Sequence, residues 1–226
     1  MRPPSLFLIA AALTVSSCTD RSNPETEAES PVFTVIDTDF SKGRLGYEQS
    51  IDLGDLEKFH GHLCDGLVVG ALAMQEAAKT LFPEGPIDRT NLRSVSKPSP
   101  CLTDVAVYVT GGRYQFGTFY VDTGFAGEYI LQRLDNGTAI SVGLNPGVKP
   151  SAIDSLGAIA VRGELSPCGI DSLRAMEDAF TDFLLSADPS EIFTVHTLSD
   201  FAWEANLKKD YVKSDVVNKA LQPCSR

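Results

Sequence analysis

The sequence predicts an α+β domain in which a mixed or antiparallel sheet carries packed helices. Three observations lead there. Apolar residues recur at helical steps over residues 64–82 and again after Pro167. Short runs rich in branched and aromatic residues, such as GTFYVD, GEYILQRLD and TAISVGL, read as strands separated by turn signals. Helices and strands are mixed without a repeated strand–helix–strand rhythm, which argues against a fully parallel α/β sheet.

Taken in order, residues 32–40 alternate in part and are expected as a strand or an extended lead-in. Residues 52–59 form a short helical turn. In residues 64–82, Leu67, Ala71, Met74, Ala78 and Leu81 share one face. Gly66, Gly70, Ala73 and Ala77 keep another face small, so that it forms either a close core contact or the seam of a homodimer. Pro83 ends this helix. Residues 92–97 are a strand. Val105–Thr110 is read as a helix capped by Thr103 or Asp104, with a strand as the alternative, because VAVYV is rich in branched residues. GTFYVD, GEYILQRLD and TAISVGL are expected as a three-stranded antiparallel meander, the Asn136-Gly137 pair marking a hairpin. Leu173, Met176, Phe180, Phe183 and Leu184 define an amphipathic helix, EIFTVHTL a strand, and residues 210–221 a last helix.

The 226 residues divide into four stretches. Residues 1–17 read as a signal peptide, with Arg2 before an apolar run too short to span a bilayer. The run closes on Val15-Ser16-Ser17-Cys18, which resembles a bacterial lipobox. Cleavage before Cys18 and lipidation of its thiol are expected, with an ordinary secretory signal as the alternative. Residues 18–31 are polar and acidic and read as a disordered tether. Residues 32–198 form the domain, and residues 199–226 a helical extension. The expected location is therefore the cell envelope, with the chain anchored to a bacterial membrane by its N-terminal lipid and the domain on the exported side.

Hydrophobic residues make up 43% and charged residues 22%, the balance of a globular chain. A formal charge of −11 provides no footprint for nucleic acid, which requires clustered Lys and Arg.

Beyond Cys18, four cysteines remain: Cys64, Cys101, Cys168 and Cys224. In an exported chain an even number suggests disulfides, and four cysteines allow three pairings among which sequence does not choose. Thiolate ligation of a metal is the competing use. Two of the three histidines of the chain lie within FHGHLCDG, residues 59–66. His60 and His62 converge on one atom if the chain turns, and Gly61 permits the turn. Cys64 falls at a helix N-terminus, where free N–H groups favour a thiolate. Imidazole and thiolate are ligands for zinc and its neighbours. The alternative is structural, with one histidine capping the helix, the other in the core, and Cys64 packed or paired with Cys101. Asp65 adds a negative charge beside the thiol.

FHGHLCDGLVVGALA resembles the opening motif of the FmdE-like domain family of formylmethanofuran dehydrogenase, and CLTDVAVYVTGG its second block. The resemblance covers roughly residues 50–198 and implies an α+β domain with a bound transition metal, zinc being the expected ion. It places His60, His62, Cys64 and Cys101 at the metal. His62, Cys64 and Cys101 rank first, with His60 as fourth ligand or supporting partner. Asp104 would take the second ring proton of a ligating histidine, and Asp65 or Asp104 would serve as general base if the site is catalytic. Two positions depart from the family pattern: Asp65 replaces a proline, and Gly112 replaces a cysteine. The family name does not imply formylmethanofuran oxidation here, since that reaction needs molybdenum or tungsten and iron–sulfur centres within a large assembly.

Three functions follow as expectations: a metal-binding envelope lipoprotein, a metal-dependent enzyme acting on a small-molecule ligand, or an envelope protein stapled by disulfides. Cys168 and Cys224 are expected to pair and tie the C-terminal helix to the body. Thr110-Gly111-Gly112-Arg113 is read as a turn rather than an anion site, His196 as a core or surface residue, and Trp203 as packing.

Overall fold

A computed structural model describes residues 31–37, 47–83 and 85–204. The expected signal peptide, Cys18, the tether, the helix over 210–221 and Cys224 lie outside these residues. The elements run β1 (Phe33–Ile36), β2 (Gln49–Ile51), α1 (Leu53–His60), α2 (Asp65–Leu81), β3 (Ile87–Asp88), β4 (Leu92–Ser96), α3 (Pro100–Thr110), β5 (Phe119–Val121), β6 (Tyr129–Arg133), β7 (Ala139–Leu144), α4 (Ser151–Val161), α5 (Pro167–Ser186), α6 (Pro189–Ile192) and β8 (Phe193–Leu198). The fold is α+β, with a small sheet of order β2-β1-β3 and a five-stranded mixed sheet of order β5-β4-β6-β7-β8.

The central element is α2. Its apolar and small faces are both buried, including Leu67, Val68, Ala71, Ala73, Met74 and Ala77. The small face settles the choice between core contact and dimer seam, because it is spent inside the chain. A side chain at Gly70 would meet the Tyr129 hydroxyl at 2.6 Å and Leu102 at 3.2 Å, so α3 and the sheet press directly on this stripe. Tyr129 is itself fully buried and donates to the Leu102 carbonyl at 3.0 Å.

Strand alternation divides the five-stranded sheet. Leu92, Ser94, Ser96, Leu131 and Ile140 face the helices, and the two serines approach Thr110 and Thr103 of α3 at 3.3 and 3.4 Å. Val95, Tyr120 and Ile130 face the other way and form a second cluster with Phe125, Phe201 and Trp203. Trp203 packs edge-on against Tyr120 at 4.7 Å, with the Arg93 guanidinium over its ring.

The structure corrects several expectations. The three-stranded meander is broken. β6 and β7 form the expected hairpin, but β5 pairs in parallel with β4 on its far side, leaving β4 between β5 and β6. The cause is α3, which carries the chain from β4 to a parallel neighbour and cannot return it as a hairpin. α3 also starts earlier than expected. Ser99, not Thr103 or Asp104, is its N-cap, accepting from the Leu102 N–H, and Pro100 follows at the first helical position. Cys101 and Asp104 thus sit inside the helix. α4 falls on residues for which no element was expected. Phe183 on α5 is 46% exposed rather than buried. His196 is exposed on β8, and Gly111 caps α3 in the left-handed conformation, consistent with the turn reading.

Candidate metal centre

Three helix ends meet at one corner. Asp52 and Asp55 form a capping box that starts α1, and Gly61 stops it immediately after His60 with a left-handed φ of 104°. Residues 61–64 then turn into α2, and Cys64 is its N-cap. Cys101 lies in the first turn of α3, brought against α2 because residue 66 is glycine. A Cβ there would meet the Cys101 sulfur at 2.9 Å and its Cβ at 3.1 Å.

The corner gathers His60, Cys64 and Cys101, with one donor atom from each lying within 4.8 Å of the others. The two sulfurs are 3.5 Å apart, and Cys64 Sγ is 3.8 Å from His60 Nε2. Both cysteines are free and half-buried, and their separation is well beyond a disulfide bond of about 2.05 Å. Donors on one tetrahedral zinc ion, with bonds of about 2.3 Å to sulfur and 2.0 Å to nitrogen, would stand about 3.8 Å apart for two sulfurs and about 3.6 Å for sulfur and nitrogen. The donor set and its spacing therefore fit a transition metal.

His60 is oriented from behind. Its buried ring donates from Nδ1 to Asp104 Oδ2 at 2.8 Å, which leaves Nε2 turned toward Cys64. This is the carboxylate–histidine arrangement that fixes the tautomer of a ligating imidazole. Cys101 and Asp104 are one helical turn apart on α3, so a single helix face supplies a thiol and the supporting carboxylate.

The thiols differ. The Cys101 S–H donates to Cys64, and this bond holds the Cys64 thiol down at about 6, against the opposing effect of burial. The Leu67 N–H and the two histidines assist. The same bond, with burial, pushes Cys101 up. The first proton lost from the pair therefore leaves Cys64, whose thiolate faces the helix N-terminus.

The order expected for the two histidines is reversed. His60 is the donor gathered with the thiols. His62 is exposed, its ring centroid 4.8 Å from that of His60, outside the group of three. Asp104 stands where a supporting carboxylate was expected. Asp65 is buried at the first position of α2, with Lys149 Nζ 4.0 Å away and bridging on to Asp154 at 2.9 Å. Burial pushes its carboxyl up, with Lys149 opposing. Sequence reasoning missed Lys149 and Glu128. Burial also raises the Glu128 carboxyl, which accepts from the Leu144 N–H and feels Lys149. No local motif marks either residue, since both come from loops that the sheet brings to the α2 N-terminus.

Cys168 is disulfide-bonded. Cys224, its expected partner, lies outside the described residues.

Fold and site together define an α+β domain whose helix ends present an imidazole–thiolate corner. The chain belongs to the FmdE family, described as "FmdE, Molybdenum formylmethanofuran dehydrogenase operon", whose model matches residues 59–194. Among solved structures, an FmdE-like protein of tungsten formylmethanofuran dehydrogenase from Syntrophus aciditrophicus is similar at 16% identity and a TM-score of 0.43, over 71% of this chain and 80% of that one. No curated protein matches.

Proposed function

We propose that this chain is an exported lipoprotein whose domain binds zinc through His60, Cys64 and Cys101. The observation that carries the metal reading is the gathering of these three donors within 4.8 Å, with Asp104 already holding His60 in the ligating tautomer. In that role Cys64 and Cys101 bind as thiolates, and Asp104 offsets the charge that His60 gains on ligation. The test is elemental mass spectrometry on the chain purified without added metal, with free thiols counted on the same denatured sample. The expected outcome is about one zinc per chain with two thiols freed on denaturation. Metal-free protein that stays metal-free on zinc addition sinks the reading.

The export half rests on residues 1–31 alone. Cys18 is the lipid-bearing residue, and residues 19–31 tether the domain to an envelope membrane. Labelling with tagged palmitate should mark the chain, and Cys18→Ala should abolish the label and move the protein to the soluble fraction. A label that survives the substitution overturns this half.

A second reading is catalytic, and one observation favours it. The described group has three donors, and three protein ligands plus an open position is the pattern of catalytic rather than structural zinc. Bound zinc would supply Lewis-acid polarisation of water or a small molecule. Cobalt-loaded protein should then change its visible spectrum when imidazole is added, whereas a spectrum that does not respond indicates a closed site.

A further inference from the structure

The chain holds two kinds of cysteine. Cys168 is disulfide-bonded. Cys64 and Cys101 are free, yet their sulfurs stand only 3.5 Å apart. Where one pair is oxidised, an adjacent dithiol survives only if something keeps it open.

Little else keeps these two sulfurs apart. A disulfide requires them to close by about 1.5 Å, to about 2.05 Å. The residues bearing them already face each other across a glycine, since Gly66 has no side chain between Cys101 and the start of α2. Both sulfurs are half-buried, so neither is sealed from a small oxidant. Cys64 heads α2, where the helix N–H groups favour the attacking thiolate, and the Cys101 S–H already points at it. Leu63 beside Cys64 is 37% exposed and His62 is exposed, which leaves the Cys64 side of the corner open to approach.

We infer that Cys64 and Cys101 form a reversible disulfide, that a bound metal holds this pair open, and that closing the pair ejects the metal. The inference rests on the metal-binding reading above and adds regulation to it. The oxidant is a small-molecule disulfide. The Cys64 thiolate attacks one of its sulfurs, forming a mixed disulfide and expelling one thiolate. The Cys101 thiolate then attacks the Cys64 sulfur, and the second thiolate leaves. Two electrons pass from the protein pair to the oxidant. For the loaded site, two bound thiolates, one disulfide and two protons give one protein disulfide, one free divalent ion and two small thiols. His60 and Asp104 cannot retain the ion alone, because both thiolate donors are consumed. Reduction restores both sulfurs and the site.

The test uses the full chain, zinc-loaded and metal-free, treated with oxidised glutathione. Free thiols are followed by maleimide labelling, released zinc by a chromophoric chelator, and the cross-link by peptide mass spectrometry. Metal-free protein should lose two thiols and yield a Cys64–Cys101 peptide. Loaded protein should do so at least about tenfold more slowly, releasing about one zinc per two thiols lost, and dithiothreitol should reverse both changes. Cys101→Ser should stop at a glutathione adduct on Cys64. Retention of zinc by the oxidised protein, equal rates with and without zinc, or an adduct on wild-type Cys64 that never closes would each overturn the inference. Failure to bind zinc sinks the metal reading alone, because closure is read on the thiols of the metal-free chain. Failure of that chain to close overturns this inference alone.

Discussion

The two faces of the five-stranded sheet do different work with the same strands. Toward the helices, β4 presents Ser94 and Ser96 to Thr110 and Thr103, placing α3 so that Cys101 and Asp104 reach the α1–α2 turn. Toward the outside, Arg93 and Val95 of the same strand join Tyr120, Ile130 and Trp203 in an aromatic cluster with no thiol or imidazole among its described members. The inner face is held by short polar contacts and close backbone approaches, the outer one by ring packing. Position on the inner face is thus set to within tenths of an ångström, because sulfur and nitrogen donors must share one ion. The outer face only has to exclude water, so it tolerates looser geometry.

The comparison breaks most clearly at the donors. Cys101→Ser and His60→Ala should each remove most of the bound zinc, measured as metal per chain after dialysis. If either variant keeps full stoichiometry, the inner corner is not a metal site. Asp104→Asn keeps the shape but loses the charge behind His60, and should weaken zinc binding by about 10- to 100-fold in a chelator competition. An unchanged affinity would make the 2.8 Å contact a packing feature only.

The next test is pH. In metal-free protein the Cys64 thiol is lowered to about 6, so its thiolate dominates at neutral pH. Iodoacetamide alkylation should be half-maximal near pH 6 and level above it, against about 8.5 for an ordinary thiol. In Cys101→Ser, whose hydroxyl is a different donor, the profile should move, and an unmoved profile would show that the Cys101 S–H is not the cause.

The smallest effects on metal should come from His62→Ala and Trp203→Ala. His62 lies outside the group of three donors, so its loss should change zinc affinity by less than about threefold, far below the effect of losing a ligand or its supporting carboxylate. Trp203→Ala should leave affinity unchanged while costing about 1–3 kcal/mol of stability, less than a fully buried tryptophan would, seen as a lower urea midpoint. A large loss of zinc in either variant would erase the distinction between the two faces.

Much of the corner was legible from FHGHLCDG and the cysteine at 101, because the chemistry of the donors is written in residue type. α2 was equally plain from its apolar spacing and Pro83. α3 was mis-started by several residues although Ser99-Pro100 carried the cap signal, since PSPC reads first as a strand breaker. The rank of the two histidines was not legible. It depends on the left-handed turn at Gly61, which ends α1 with His60 pointing inward and His62 outward. Lys149 and Glu128 near Asp65 left no local trace at all.

Taken alone, the sequence determined the residue types able to bind a metal, the helix that carries Cys64 and the α+β class, because these follow from side-chain chemistry and from periodicity within one segment. Only the tertiary structure decided that β5 joins β4 in parallel and that Gly66 lets Cys101 reach within 3.5 Å of Cys64. It also decided that Asp104 stands behind His60 rather than beside His62. Each of these is a contact between segments distant along the chain, set by the packing of α2, α3 and the sheet and absent from any local window of residues.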